Sequence, residues 1–330
     1  IFSYPEYIYE QSKTKKRVVI GGSHGKTSIT AMVLHVLNYM QLDCDFMVGA
    51  QLEGFDTMVK LTKEAPIIIL EGDEYLSSPI DRRPKFHWYK PHIAVLSGIA
   101  WDHINVFPTF ENYVEQFRIF KEDVKEVLIY CETDEVLSKL ANEKSKCRLK
   151  AYATPSHEIE NGVSYLVDDN ERIPLMVFGE HNLQNMNAAR LVCQEVGVNK
   201  EQFYEAIQSF KGASKRLELV RKNTKSAMYK DFAHSPSKLK ATSSAMKKQF
   251  INRKLIACME LHTFSSLNEE FLKQYKGCMN EPDLAIVYFS PEEIAHKKLE
   301  SLSKDLVFDC FANNDLKVIS SSIDVCEMIQ

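Results

Sequence analysis

Short runs of β-branched and aliphatic residues alternate along this chain with stretches whose apolar positions recur every three or four residues. The run "RVVIGG" (17–22) has the continuous apolar pattern of a buried strand. It is followed by "KTSITAMVLHVLNYM" (26–40), which places Ile29, Met32, Val33, Val36 and Leu37 on one helical face. "APIIILEGDE" (65–74) reads as a strand ending in acids, "HIAVLSGI" (92–99) as a buried strand, 110–122 as a helix and "EVLIYC" (126–131) as another strand. Strand–helix alternation predicts an α/β fold, with a parallel sheet covered by helices. Residues 150–178 are richer in strand pattern and lead into a helix entered through "GEHNLQN" (179–185). A second α/β unit begins near Gly212. In it, 226–250 reads as strand, polar turn and helix, and "RKLIACMEL" (253–261) and "LAIVYF" (284–289) read as further buried strands. The charged stretch "SKTKKR" (12–17) is expected to be a solvated linker.

Composition narrows the picture without naming a chemistry. The 330 residues suffice for two or three domains. A net charge of −4 implies no nucleic-acid-binding surface, and no apolar run approaches the roughly 20 residues of a membrane span. The eight cysteines fall in no CxxC pair or regular framework, the pattern of reduced thiols in a cytoplasmic protein. The sequence opens on Ile1 and closes on an uncapped helical pattern, and glycine numbers only 12. A longer parent protein is expected from the ends, and omitted flexible loops could explain the scarcity of glycine.

Candidate chemistry clusters at the strand ends. Gly22-Ser23-His24-Gly25-Lys26-Thr27-Ser28 joins a strand to a helix, as a phosphate-binding loop does: backbone N–H groups cradle phosphate, a lysine neutralises it, and a hydroxyl holds magnesium. The spacing departs from GxxxxGK[ST], because Gly21 stands one position late. Glu71, Asp73 and Glu74 follow the next buried strand, where a carboxylate can hold the Mg²⁺ that bridges nucleotide phosphates. Asp102 and His103 follow a third. Three successive strand ends giving Lys-Thr, Glu and His suggest one nucleotide–metal site. Asn182 and Asn185, at i and i+3, share a helix face and could read adenine, although Asn182 could equally cap its helix. Arg216 could neutralise phosphate or be a surface cation. Asp231 could accept from ribose hydroxyls or serve a turn.

In order and spacing, "GGSHGKTS … LEGDEY … GIAWDHINVFPTFENY … GEHNLQN … KRLE … KDFAHSPSKL" resembles the Mur ligases, ATP-dependent amide-forming enzymes of peptidoglycan synthesis. The resemblance implies a P-loop central ATPase domain at 17–211 and a Rossmann-like C-terminal domain at 212–330 that stops short. Residues 1–16 would be a linker or remnant of a largely missing N-terminal UDP-binding domain. It implies ATP and Mg²⁺ as cofactors, Lys26 on the β/γ-phosphates, Thr27 and Glu71 on one magnesium and His103 on a second. Asn182 and Asn185 would lie at the adenine, Arg216 at phosphate, Asp231 at the ribose and His234 near the nucleotide. "GSHGKT" is similar to the branch that uses UDP-N-acetylmuramate directly, with a peptide or amino-acid amine as acceptor. "EGDEY" with "SPIDRRPKF" is more similar to members that recycle the tripeptide L-alanyl-γ-D-glutamyl-meso-diaminopimelate. In "MELHTFSS", Thr263 stands after His262 where alanine-adding members often have Arg; His262 and Ser265 are candidate acceptor contacts. "FENYVEQFRIF" lacks the lysine that several members carbamoylate, so no such modification is expected.

Overall fold

A computed structural model describes residues 1–101, 106–169 and 171–329. It divides into two compact units, one from Ile1 to Glu218 and one from Leu219 onward.

The first unit begins with α1 (Tyr4–Gln11), β1 (Lys16–Gly21) and α2 (Lys26–Tyr39). Then come β2 (Asp45–Met47), β3 (Val59–Lys60), β4 (Ile67–Glu71), α3 (Lys85–Trp88) and β5 (Ile93–Leu96). After them follow α4 (Phe110–Glu122), β6 (Val127–Cys131), α5 (Glu135–Asn142) and β7 (Arg148–Tyr152). Among the described residues these strands form one sheet, ordered β3-β2-β4-β1-β5-β6-β7. All neighbours are parallel except β3, which runs antiparallel to β2 at the edge. The central strands are buried on both faces, which is why they read as unbroken apolar runs rather than alternating ones. β8 (His157–Glu160), β9 (Val163–Asp168) and β10 (Glu171–Leu175) make a separate antiparallel meander, and α6 (Glu180–Glu195) and α7 (Lys200–Ile207) complete the unit.

Two local expectations change. The helix α2 is buried on nearly every side, Thr30, Ala31 and Leu34 included, because it packs against α6 and α7 as well as the sheet. The stretch 12–17 is not a solvated linker. Arg17, 2% exposed, donates from Nε to the carbonyl of Tyr89 (2.8 Å) and from Nη1 to that of Ser12 (2.8 Å). Lys15 is likewise buried, paired with Asp45 and donating to the carbonyl of Thr62. A buried cation persists only when its donors are occupied, and here carbonyls and a carboxylate occupy them.

In the second unit β11 (Glu218–Lys222), which starts at the division, pairs with β12 (Ala227–Lys230). Then follow α8 (Pro236–Gln249), β13 (Ile256–Glu260), α9 (Glu269–Leu272), β14 (Leu284–Tyr288), α10 (Pro291–His296), α11 (Lys304–Phe311), β15 (Lys317–Ile319) and α12 (Ser322–Ile329). β13, β14 and β15 form a parallel sheet with helices in the connections, the Rossmann-like arrangement expected.

Candidate functional site

The chain leaves β1 for a strand two places to one side, while β5, β6 and β7 continue on the other. Such a reversal opens a crevice at the carboxyl ends of the strands beside it. At that edge Ile20 of β1 pairs with Glu71 of β4, and Gly21 pairs with Leu96 of β5. The loop 22–25 starts there. Gly22 has φ +121°, and a Cβ on it would lie 2.3 Å from Ser97 Oγ, so the close approach of the β5 exit requires glycine. The Ser23 N–H donates to the carbonyl of Gly98 (3.0 Å), stitching the loop to that exit.

Gly25 caps α2 at φ +75°, and a Cβ there would meet Asn185 Oδ1 at 2.2 Å. Asn185 of α6 is thus seated against the loop. Asn182, one turn earlier, donates from Nδ2 to the carbonyl of Phe178 (2.9 Å), a tie at the start of its own helix. The first N–H groups of α2 have no intrahelical acceptor, and its dipole favours negative charge at this end.

Lys26 Nζ donates to the carbonyl of Gly22 (2.7 Å) and to Glu74 Oε2 (2.6 Å). Desolvation pulls its pKa down, but Glu74, Asp73 and Glu71 more than offset that and hold the ammonium above the ordinary lysine value. Burial pushes the carboxyl of Asp73 up, and Lys26 and Lys85 outweigh it, leaving Asp73 below the usual carboxylate range. Thr27 Oγ1 donates to Glu71 Oε1 (2.9 Å), and Glu71 Oε2 accepts the N–H of Gly49 (2.8 Å). The hydroxyl and carboxylate expected to share one metal ion are therefore in direct contact. His103, the third residue of that expectation, lies outside the described residues. The imidazole-bearing His24 sits in the loop, where its carbonyl accepts from the Ser97 hydroxyl, and Ser28 is buried in the first turn of α2.

Sequence reasoning passed over several partners. Gly49, Ser97 and Tyr113 touch the site from loops or helices distant in sequence, and no local pattern marks them. The helix α4 does contain a lysine: Lys121, in its last turn, is buried and donates to the carbonyls of Leu140 (2.8 Å) and Glu143 (2.9 Å) at the end of α5.

Arg216 is half-buried, and its Nη1 donates to the carbonyl of Lys215 (3.0 Å). Its neighbours Lys215 and Leu217 hold φ of +57° and +47°, an uncommon conformation for residues with side chains. In the second unit Asp231 follows β12 and accepts from Thr242 Oγ1 of α8 (2.7 Å). Also in that unit, the ring of His234 lies 4.7 Å from that of Phe232 and 6.2 Å from that of His262.

A profile described as the Mur ligase middle domain matches residues 20–193, more than half the chain. The chain belongs to the Mur ligase family. Among its relatives, the UDP-N-acetylmuramate–L-alanine ligase of Sulfurihydrogenibium sp. (strain YO3AOP1) is 30% identical over 298 residues. That match covers 86% of this chain and 62% of the relative, so the chain spans under two thirds of that Mur ligase. Among solved Mur ligases, a murein peptide ligase from Psychrobacter arcticus superposes with a TM-score of 0.66 at 19% identity, over 99% of this chain and 74% of that one. The UDP-N-acetylmuramate-alanine ligase of Thermotoga maritima superposes with a TM-score of 0.73 at 16% identity, over 99% and 71%. At these identities the superpositions speak for the fold.

Proposed function

We propose that this chain carries the nucleotide site of an ATP-dependent ligase that joins the carboxylate of UDP-N-acetylmuramate to the amine of L-alanyl-γ-D-glutamyl-meso-diaminopimelate, as a murein peptide ligase does. The observation that carries the ATP half is the convergence of Lys26, Thr27 and Glu71 at the reversal point of the parallel sheet. The residues fit a magnesium-bound nucleoside triphosphate. Thr27 and Glu71 offer the hard oxygen donors magnesium prefers, and the loop opens at the N-terminus of α2, whose first N–H groups and dipole favour phosphate. His103 would hold a second ion. Asn182, Asn185 and Asp231 would receive the nucleoside, and His234 would lie near it. When bound, magnesium offsets charge on the transferring phosphoryl group. Lys26 and Arg216 supply further positive charge, and the loop N–H groups orient the phosphates. The muramyl carboxylate would be activated as an acyl phosphate, which the acceptor amine then attacks, so no protein nucleophile is needed.

The acceptor reading rests on "EGDEY…SPIDRRPKF" and on Thr263 standing in place of the Arg of alanine-adding members. The name of the Sulfurihydrogenibium relative favours a second reading, L-alanine as acceptor. The deciding experiment measures phosphate release on the full-length protein with ATP, UDP-N-acetylmuramate and each amine. A site shaped for the tripeptide gives up binding energy with alanine, so kcat/KM should favour the tripeptide. A preference for alanine would install the second reading, and release without either amine would remove the ligase assignment.

A further inference from the structure

Of the three acids at the end of β4, only Glu71 has a part in the proposed nucleotide site; Asp73 and Glu74 have none, and Glu74 is the most deeply held of the three. It is 1% exposed. Its Oε2 accepts from Lys26 Nζ (2.6 Å) and its Oε1 from the hydroxyl of Tyr113 on α4 (3.1 Å). A carboxylate only accepts, so the single hydroxyl hydrogen of Tyr113 is committed to it. The Ser23 hydroxyl, 2.9 Å from the Tyr113 oxygen, must then donate to that oxygen, while Ser23 Oγ itself accepts the N–H of Ala100 (2.9 Å). Every hydrogen in the chain Ala100–Ser23–Tyr113–Glu74 thus has one direction, and the chain starts on backbone. Tyr113 is fully buried. Glu74 is fixed from behind, whereas the Lys26 side chain is 15% exposed and is the partner able to move. Among the described residues Gly22 and Glu74 take two of its three N–H donors, which leaves one for an incoming phosphate.

We propose that Glu74 is a positioning residue: a fixed counter-charge, braced by Tyr113 and Ser23, that aims the Lys26 ammonium at the transferring phosphate at a cost in nucleotide affinity. The proposal rests on the nucleotide reading of this site. A carboxylate beside a phosphate weakens binding of the polyanion, and a wandering ammonium misses the transition state.

The test is a comparison of wild type, Glu74→Gln, Glu74→Asp, Tyr113→Phe and Lys26→Ala in the full-length ligase. It reads KM for ATP, kcat, the dissociation constant of Mg-ATP and the melting temperature. For Glu74→Gln, nucleotide should bind about threefold more tightly, while kcat falls about ten- to a hundredfold. Tighter ground-state binding together with a lower kcat shows that the carboxylate disfavours bound nucleotide while serving the transition state, a split that a merely structural residue does not give. Glu74→Asp should recover part of kcat. Tyr113→Phe, which keeps the charge but frees the carboxylate, should lower kcat with affinity unchanged, and it decides the matter if the Glu74 variants do not fold. Wild-type kcat in Glu74→Gln or in Tyr113→Phe would overturn the proposal, as would parallel loss of affinity, kcat and melting temperature. Undiminished nucleotide binding by Lys26→Ala would instead overturn the nucleotide reading itself.

Discussion

Lys26 Nζ is held by the carbonyl of Gly22 and by the buried carboxylate of Glu74, so its loss removes no core packing but leaves that carboxylate without its cation. Lys26→Ala is expected to cut turnover by about 10²- to 10³-fold, in a protein that still folds but melts lower because Glu74 is left buried and unpaired; activity assay and thermal denaturation check the two halves. Gly25→Ala should behave differently. It forces a side chain into φ +75° and into Asn185, so it should destabilise by about 1–3 kcal/mol and also weaken nucleotide binding, read by denaturant titration and calorimetry. Lys26, Thr27 and Glu71 were legible because each follows directly from a buried strand, and parallel strands bring such ends together. Asn185 was legible as a polar position, but not its seat against Gly25, because α6 is far along the chain. The bracing of Glu74 was invisible for the same reason: Tyr113 lies 39 positions away on a helix whose own pattern only says amphipathic.

At the level of elements, the strands and helices of the sheet follow from periodicity, since long apolar runs between helical patterns leave little choice. The segment Ser12–Arg17 misled because charge was read as solvent exposure, while its partners are carbonyls that no sequence pattern displays. Arg17→Ala would leave the buried carbonyls of Ser12 and Tyr89 short of a donor, and a loss of about 2–4 kcal/mol is expected in urea unfolding. A pH effect belongs to the tie between α6 and β7. Burial pushes the carboxyl of Glu195 up, but Lys150 and Arg148 outweigh it and set it below the ordinary glutamate value. Its contribution is therefore present above the unfolded value, about 4.3, and is lost as pH falls through the depressed folded one. The stability gap between wild type and Glu195→Gln should be a few tenths to about 1 kcal/mol at neutral pH and should close on acidification below pH 4.

Over the whole molecule, two units with their own apolar interiors are expected to unfold separately. Calorimetry should resolve two transitions. Mg-ATP at a hundredfold excess over its dissociation constant should stabilise the transition of the first unit by about 2.7 kcal/mol, since Lys26, Thr27 and Glu71 all lie there. A single transition that nucleotide leaves unmoved would count against both statements. At this scale the sequence supplied the α/β class and the family, because motif order survives divergence that erases most identities. It left two acceptors open, because only short stretches, "SPIDRRPKF" and the position of Thr263, bear on the choice.

The all-round burial of α2 reaches into the protein's capacity for change. A helix with a wet side has positions where drift is neutral, and they recur with the helical turn. From Thr27 to Leu37, α2 offers only His35 outside the buried class, whereas α4 exposes Glu111, Asn112, Glu115, Ile119 and Glu122 in rotation. In a saturation library scored for function, tolerance along α4 should rise and fall every three to four residues. Along α2 it should stay flat and low until Asn38, so lineages descending from this chain would keep the helix behind the phosphate loop nearly frozen while their other helices diverge.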